Sequence, residues 1–384
     1  MVKVAIIGGR LQGTEAVYLA RKAGFTSVLI DRLENPPAKG MCSVFVQLDV
    51  CEKSALLLET LKSCDFILPA IENIEALCAL RELKEEYNLN VAFDFDAYAI
   101  SASKLRSDDL FHKHKIPAPR YYPEGQPPYI AKRSAGSGSE DVRLLTTETE
   151  ASALYETDRG EWVVQEYLEG LAYSIEVIGA PGQYTSYQMT EIHVDKDYDC
   201  CLVTCPCPGV DAKALSAMAI QIAELIQLKG IMDLEVIIHE GEMKVLEIDA
   251  RLPSQTPTAV LHSTGINLLS ELHRLFCGDW TRHSGAAVFA HEKIVAYEHI
   301  KASARGIDLY GEGILAQSAP LYLYQNRVGA GEVLTDYKPY DSEVRATLIN
   351  CAESLELLNQ KRQAVWEAIA ETMVVEKEIG ESSL

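Results

Sequence analysis

Apolar and polar positions change rhythm along this chain, and the changes mark its elements. At the start, short apolar runs alternate with stretches of helical period. Val2–Ile7 reads as a buried strand, followed by the turn Gly8-Gly9-Arg10-Leu11-Gln12-Gly13-Thr14 and a helix through Ala23 that Gly24 ends. Ser27–Ile30, Val44–Leu48, Phe66–Pro69 and Asn90–Phe93 read as further strands, with helices at Lys53–Lys62 and Ile74–Tyr87. Strand and helix alternating in this way predict parallel βαβ units.

The rhythm then breaks. Ser101–Lys115 reads as one polar helix, and Pro117 and Pro119 mark a linker. Tyr129-Ile-Ala-Lys132 is a short strand that runs into the Gly/Ser loop Arg133–Ser139. A helix at Thr147–Tyr155, strands at Trp162–Gly170 and Ser174–Ile178, and an amphipathic helix at Lys213–Leu228 lead to an acidic hairpin. From Trp280 the chain mixes strands (His291–Tyr297, Leu321–Leu323) with turns at Gly311-Glu-Gly and Gly329-Ala-Gly, and ends in an amphipathic helix, Asp341–Thr372. This last third reads as a domain that closes the site.

The hairpin, Gly230 to Pro257, organises the rest. Met232–Ile238 and Val245–Asp249 are its strands, with the turn at His239–Met243. Alternate side chains of a strand share a face. Asp233 and Glu235 therefore lie on one face, and Glu247, Asp249 and Arg251 on one face of the partner. Carboxylates this close repel unless cations compensate, and oxygen-only ligands favour Mg²⁺ or Mn²⁺. An acidic hairpin with its charges in water is the plain alternative.

Composition narrows the class. A chain of 384 residues is long enough for two or three domains, and 48% hydrophobic with 24% charged residues is ordinary for a globular protein. The net charge of −21 argues against a nucleic-acid partner, which needs a basic face. No apolar run is long enough to span a membrane, so no membrane partner is expected. The chain opens directly on a strand with no signal-like segment, which gives a cytoplasmic expectation. Its ten cysteines are then expected to be reduced, and Cys200-Cys201 with Cys205-Pro-Cys207 lacks zinc-site spacing.

Two loops carry chemistry. The Gly8–Thr14 turn resembles a dinucleotide-binding fingerprint with an acid, Asp31, ending the second strand. It departs where Arg10 replaces the glycine that lets a pyrophosphate approach, which disfavours a nicotinamide-dependent oxidoreductase. Loops such as Arg133–Ser139 offer backbone N–H groups to phosphate, and Lys132 adds charge.

Lys104, Lys132 with its Gly/Ser loop, Gln165-Glu-Tyr-Leu168, Glu235 and Glu247-Ile-Asp-Ala-Arg251 occur in the order and spacing of the ATP-grasp superfamily of carboxylate–amine ligases, which this chain resembles over nearly its whole length. The family commonly has Asn at Asp249 and often Pro at Ala250. The resemblance implies an α/β chain: an N-terminal Rossmann-like parallel βαβ domain (1–100), then an ATP-grasp fold, α+β in character, with a central lid subdomain (101–168) and a C-terminal part (169–384) carrying the Mg-binding hairpin. More narrowly, the chain resembles the ligases of pyrrolysine biosynthesis, which join 3-methyl-D-ornithine to the ε-amine of L-lysine. A ligase acting on another amino-acid or purine-pathway carboxylate is the alternative.

The resemblance also implies roles. ATP and Mg²⁺ would be the cofactors, with two or more ions and Mn²⁺ possible. Lys104 and Lys132 would hold phosphates, and Ser137, Gly138 and Ser139 would close over them. Gln165, Glu166 and the Leu168 backbone would read adenine, and Glu169 the ribose. Glu235, Glu247 and Asp249 would carry the metal. Arg251 would stabilise charge on the reacting carboxylate. Ser254, in the loop Leu252–Thr256, and Asp233 would hold the donor. Glu72, Ser303 and Arg305 would hold the lysine. On composition alone, Lys104 and Arg305 are surface cations and Glu72 a helix cap. Arg10, Leu11, Gln12, Asp31, Asp49 and Val50 lie at the ends of the first strands. They form either a second, non-catalytic nucleotide site or part of the lysine site. A nucleotide-binding regulator without ligase activity is the remaining rival.

Overall fold

The computed structural model describes residues 1–134, 142–157, 161–278, 293–339 and 341–382. The opening apolar runs form a parallel sheet: β1 (Lys3–Ile7), β2 (Thr26–Asp31), β3 (Val44–Gln47) and β4 (Phe66–Pro69), in the order β3-β2-β1-β4. Helix α1 (Leu11–Lys22) connects β1 to β2 and α2 (Ala55–Lys62) connects β3 to β4, and α3 (Ile74–Tyr87) follows β4. Side chains of β1 and β2 are buried because helices cover both faces, as parallel strands require. The expected strand Asn90–Phe93 contracts to one parallel bridge, Ile67 with Val91. Asn90 Nδ2 donates to the Asp65 and Phe276 carbonyls, and Asp94 immediately caps the next helix, so there is no length left to pair.

The expected helix Ser101–Lys115 is α5 (Lys104–His114), which starts three residues later, and an unexpected helix, α4 (Phe95–Ser101), precedes it. Asp94 Oδ1 accepts from the Asp96 and Ala97 amides, and Ser103 Oγ from the Arg106 amide. Each is an N-cap, and the second makes Lys104 the first residue of its helix. A small sheet comes next in the order β6-β5-β7: β5 (Tyr129–Arg133), β6 (Arg143–Leu145) and β7 (Trp162–Glu166). It is backed by α6 (Glu148–Thr157) over a core of Tyr129, Ala131, Ala151, Trp162 and Val164.

The largest sheet has eleven strands. It begins with β8 (Leu171–Ala180), β9 (Gln183–Ser186), β10 (Thr190–Val194) and β11 (Cys200–Cys205). After α7 (Ala212–Leu225) come the hairpin strands β12 (Gly230–His239) and β13 (Glu242–Asp249), then α8 (Thr256–Thr264) and α9 (Leu268–Cys277). The sheet is completed by β14 (Ile294–Ser303), β15 (Gly306–Leu309), β16 (Tyr322–Gln325), β17 (Glu332–Thr335) and β18 (Glu343–Ala352), and α10 (Leu355–Ser382) ends the fold. Its main path, β13-β12-β8-β10-β11-β14-β18-β17-β16, joins the grasp to the C-terminal third in one continuous layer.

The expected helix Asp341–Thr372 needs correction. Its first part is β18, paired residue for residue with β14 from Ser303↔Glu343 to Ile294↔Ala352. Val344, Thr347 and Ile349 are β-branched and suit a strand. Ser354 then caps α10, its Oγ accepting from the Leu357 amide at 3.2 Å.

A buried polar cluster pins α1 to the C-terminal third. Tyr18 Oη donates to Glu332 Oε2 at 2.6 Å and lies 2.6 Å from His262 Nε2, and Lys22 pairs with Glu332. Burial alone would lower the His262 pKa, but its bonds to Cys351 and Glu332 raise it from 6.5 to about 9. Burial alone would raise Glu332, but His262, Lys22 and Tyr18 overcome it and bring it to about 2. The stability His262 contributes is present in full below 6.5 and is lost as pH rises through about 9. Glu332's contribution is present above 4.5 and is lost as pH falls through about 2. Denaturant melts at successive pH values should therefore show the wild type losing its advantage over His262→Gln, of about 1–3 kcal/mol, on the alkaline side. A difference that does not change with pH would show the imidazole to be uncharged.

Candidate active site

The site is built on cross-strand register. β12 pairs with β13 on one side and β8 on the other, both antiparallel. Two rows result: Ser174–Glu235–Glu247 and Glu176–Asp233–Asp249. Residues opposite one another share a face, so five carboxylates cover a patch of three strands. The β12–β13 turn sets this register. Glu240 and Gly241 have φ of 51° and 84°, the two-residue turn that matches strand twist. A bulge between Glu235 and Val236 skips Leu246 and returns Glu247 to the acidic face.

Arg251 closes the patch. Its Nε donates to Glu72 Oε1 at 2.8 Å and an Nη to Asp249 Oδ2 at 2.9 Å, and Asp233 Oδ1 lies 3.9 Å away. Glu72, just after β4, also accepts from Gln12 Nε2. One guanidinium thus links the N-terminal sheet to the hairpin. Burial pushes Asp249 up to about 8 against the pull of Arg251, with Glu247 and Glu72 adding to the rise. Burial and then the Glu247 charge push Glu235 up to about 7. Burial also raises Asp233 well above the carboxylate range. The patch carries more negative charge than its cations offset.

The expected phosphate cations stand beside it. Lys104 Nζ donates to Glu247 Oε1 at 2.8 Å, and its amide donates to the Ser134 carbonyl at 3.0 Å. Lys132, on β5, reaches Glu235 and Asp108 electrostatically. Gln165 is buried on β7. Glu166 Oε1 accepts from the Arg120 amide at 2.9 Å and lies 4.0 Å from Lys244 Nζ. Leu168 is half-buried, and Glu169 is exposed with its carbonyl 2.8 Å from His239 Nδ1. Ser137, Gly138 and Ser139 lie outside the described residues. Among the described residues no three acids, histidines or cysteines converge as a ready-made metal cage. Glu235 and Glu247 stand opposite one another, an oxygen-only donor pair of the kind Mg²⁺ takes together with substrate phosphates.

Residues 101–255 match the ATP-grasp domain family. The chain is 37% identical over 330 residues to the 3-methyl-D-ornithine–L-lysine ligase of Methanosarcina acetivorans, spanning 86% of this chain and 88% of that protein. The ligase of the same name from Methanosarcina barkeri is 36% identical, spanning 83% and 85%. The chain belongs to the ATP-grasp ligases. It is an ATP-dependent carbon–nitrogen ligase. The biotin carboxylase domain of the Hydrogenobacter thermophilus 2-oxoglutarate carboxylase, solved with MgADP, ADP and bicarbonate, superposes with a TM-score of 0.73 at 15% identity, covering 98% of this chain and 94% of that one. N5-carboxyaminoimidazole synthetase from Staphylococcus aureus, solved with ADP, gives 0.69 at 18% identity, covering 95% and 97%. These two likenesses concern the fold.

Several residues of this ligase's site escape a linear reading. Glu176 lies under the patch, fully buried, and burial pushes it up to about 7. Asp108 on α5 is pushed by burial to about 7, with Tyr121 and Lys132 opposing. Tyr98 on α4 stands in the same field, its phenol raised by burial and by Glu72. No motif marks these residues; only the packing of distant strands and helices brings them together.

The loop after Arg251 holds a strained turn. Gln255 has φ 68° and ψ −57°, and the Thr256 amide donates to the Ser254 carbonyl at 2.8 Å. This positive-φ γ-turn is rare and costs backbone energy. Glu15 of α1 anchors the start of α8: Thr258 donates to Glu15 Oε1 from both its amide and its hydroxyl at 2.7 Å. The N-terminus of α8 is thereby already capped by a protein carboxylate. Ser303 and Arg305 occupy the β14–β15 turn, where Ser303 Oγ accepts from the Arg305 amide and Arg305 is exposed. Asp31 braces the first turn, accepting from the Gly9 and Leu33 amides at 2.7 Å each. Asp49 accepts from the Cys51 amide, Val50 is buried, Leu11 begins α1 and Arg10 is exposed.

Glu15→Ala would leave a buried amide and hydroxyl unpaired, so the variant should lose about 1–3 kcal/mol in urea unfolding. Glu15→Gln keeps an acceptor of the same length and should recover most of it. Equal losses in both variants would mean that the carboxylate charge, not the cap, is what matters.

Proposed function

We propose that this ligase activates the carboxylate of 3-methyl-D-ornithine, or D-ornithine, and joins it to the ε-amine of L-lysine. The observation that carries this reading is Arg251, bonded at once to Glu72 and Asp249 where the metal-type acids meet the N-terminal sheet. The names of the Methanosarcina relatives support the choice of substrates. The γ-phosphoryl group passes from ATP to a donor carboxylate oxygen, giving an acyl phosphate and ADP. The lysine ε-amine attacks the acyl carbon, phosphate leaves with its oxygen, and the nitrogen loses a proton.

In this reading Glu235, Glu247 and Asp249 hold Mg²⁺, as two or more ions, with Mn²⁺ the alternative. When bound, Mg²⁺ would supply positive charge beside the phosphates. Lys104 and Lys132 orient the phosphates, with Ser137, Gly138 and Ser139 closing over them. Gln165, Glu166, Leu168 and Glu169 take the nucleoside. Arg251 faces the acyl group where negative charge develops. Asp233 takes a donor ammonium and Ser254 a further donor contact. Glu72 takes the lysine ammonium, and Ser303 and Arg305 its carboxylate. The divisions at 100 and 168 follow the three sheets. All ten cysteines are free thiols, in keeping with the cytoplasm.

The first turn has two readings. The Gln12–Glu72 bond ties it to the lysine side of the site and favours a role in holding the acceptor. Asp31, engaged with two amides, is correspondingly less available to a second nucleotide's ribose. Calorimetry with a non-hydrolysable ATP analogue should find one site per chain; two sites, one removed by Asp31→Ala, would restore the nucleotide reading.

ADP release across a panel of D- and L-diamino acids with L-lysine tests the substrates. Release should require lysine and be fastest with a D-ornithine skeleton; turnover only with an unrelated carboxylate would point to another member of the family. Glu247→Gln should abolish turnover and leave the fold intact, because an amide cannot balance the metal's charge. Arg251→Lys should lose about 2–4 kcal/mol of transition-state stabilisation, seen in kcat, since Lys lacks the guanidinium fork. Weaker ATP binding at unchanged turnover would make Arg251 a nucleotide contact instead.

A further inference from the structure

An ornithine-type donor carries two ammonium groups, and Asp233 supplies a carboxylate to only one of them. Asp233, 3.9 Å from Arg251, stands beside the reacting carboxylate and suits the α-ammonium. A second acid lies against the loop after Arg251, from the C-terminal third. Glu312 opens the short helical turn Glu312–Leu315, half-buried, with the Ser254 and Gln255 side chains turned toward it and the Arg251 charge within reach. Among the described residues no lysine, arginine or histidine lies within ion-pair distance of it. Burial raises its carboxyl, as expected of an acid with no paired cation, and Ser254 and Gln255 offset only part of that.

Glu312 is held in place from both sides. The Gly311 amide donates to Asp195 Oδ2 and the Gly313 amide to Asp199 Oδ2, each at 2.9 Å. Both acids belong to the loop between β10 and β11. Asp195 Oδ1 also accepts from the Asp197 and Asp199 amides, so this loop is rigid around one carboxylate. A Cβ on Gly311 would lie 2.2 Å from Asp199 Oδ2, so only glycine permits the approach. On the facing side, the strained turn at Gln255 directs two neutral hydrogen-bonding side chains at the same acid. The protein thus fixes an acid from three elements and supplies it with dipoles but no cation. A substrate ammonium would complete it.

We infer that Glu312, with Ser254 and Gln255, is the subsite for the distal ammonium of the donor, and that it makes the ligase specific for a diamino acid. This rests on the reading of the donor as an ornithine. Of the other buried acids near the loop, Glu15 is engaged by Thr258 and Glu176 lies beneath Thr256, both covered, which leaves the half-buried Glu312 as the partner for an ammonium.

The test compares kcat/KM for D-ornithine with that for D-norvaline, the same carbon chain without the δ-amine, using the full-length enzyme with L-lysine and ATP. The wild type should prefer D-ornithine strongly. Glu312→Gln should lose about 30-fold or more on D-ornithine, as when one partner of a buried charge pair is removed, and stay within about threefold on D-norvaline. Glu312→Asp should keep part of the preference. Equal losses on both donors would reduce Glu312 to a structural role and overturn the inference. So would a preference that survives in Glu312→Gln but collapses in Glu176→Gln. A wild type that ligates neither donor would instead remove the donor reading, and this inference with it.

Discussion

The site depends on one cation among buried acids. Arg251 donates to Glu72 from one element and to Asp249 from another, and Asp233 lies just beyond. Charges in so dry a place are costly unless paired. The pairs hold the N-terminal sheet against the hairpin, and they also leave a surplus of negative charge. Burial, with the neighbouring acids adding to it, raises Asp249, Glu235 and Asp233, and a metal–nucleotide complex beside them would relieve that cost. In the proposed reading, the cost of crowding the acids is offset when Mg²⁺ and phosphate bind.

The rest of the fold sets the position of that group. The three-strand register places the acids in two rows, and the bulge keeps Glu247 on the correct face. Ser103 starts α5 at Lys104, which puts an ammonium against Glu247. Glu15 caps α8 and anchors the strained loop after Arg251. The cluster of Tyr18, His262, Glu332 and Lys22 fixes α1 to the far end of the same sheet. Apart from the hairpin bulge and the Ser103 cap, these contacts join segments distant in sequence, so the site forms only when those segments pack together.

Local period made part of this legible in the sequence. Asp233, Glu235, Glu247 and Asp249 alternate in strands around Glu240-Gly241, so their shared face could be read, as could β1, β2, β4 and the helices between them. Pairing at long range could not. Nothing local says that Ser174 and Glu176 extend the acidic rows, or that Glu15 reaches Thr258. Asp341–Thr372 misled because its apolar spacing suits helix and strand alike, and only pairing with β14 decides between them. Helix α4 was missed because it is a short stretch that follows directly on the Asn90–Phe93 run, and the start of α5 moved because the Ser103 cap fixes it at Lys104.

The central claim is that the carboxylate beside Arg251 is activated by phosphorylation before the amine attacks. A donor whose carboxylate carries isotopically heavy oxygen tests this directly when turned over with ATP and L-lysine. Phosphorus NMR of the released phosphate should show one heavy oxygen per phosphate formed, because that atom bridged acyl carbon and phosphorus. Unlabelled phosphate, with the peptide product still formed, would contradict the account.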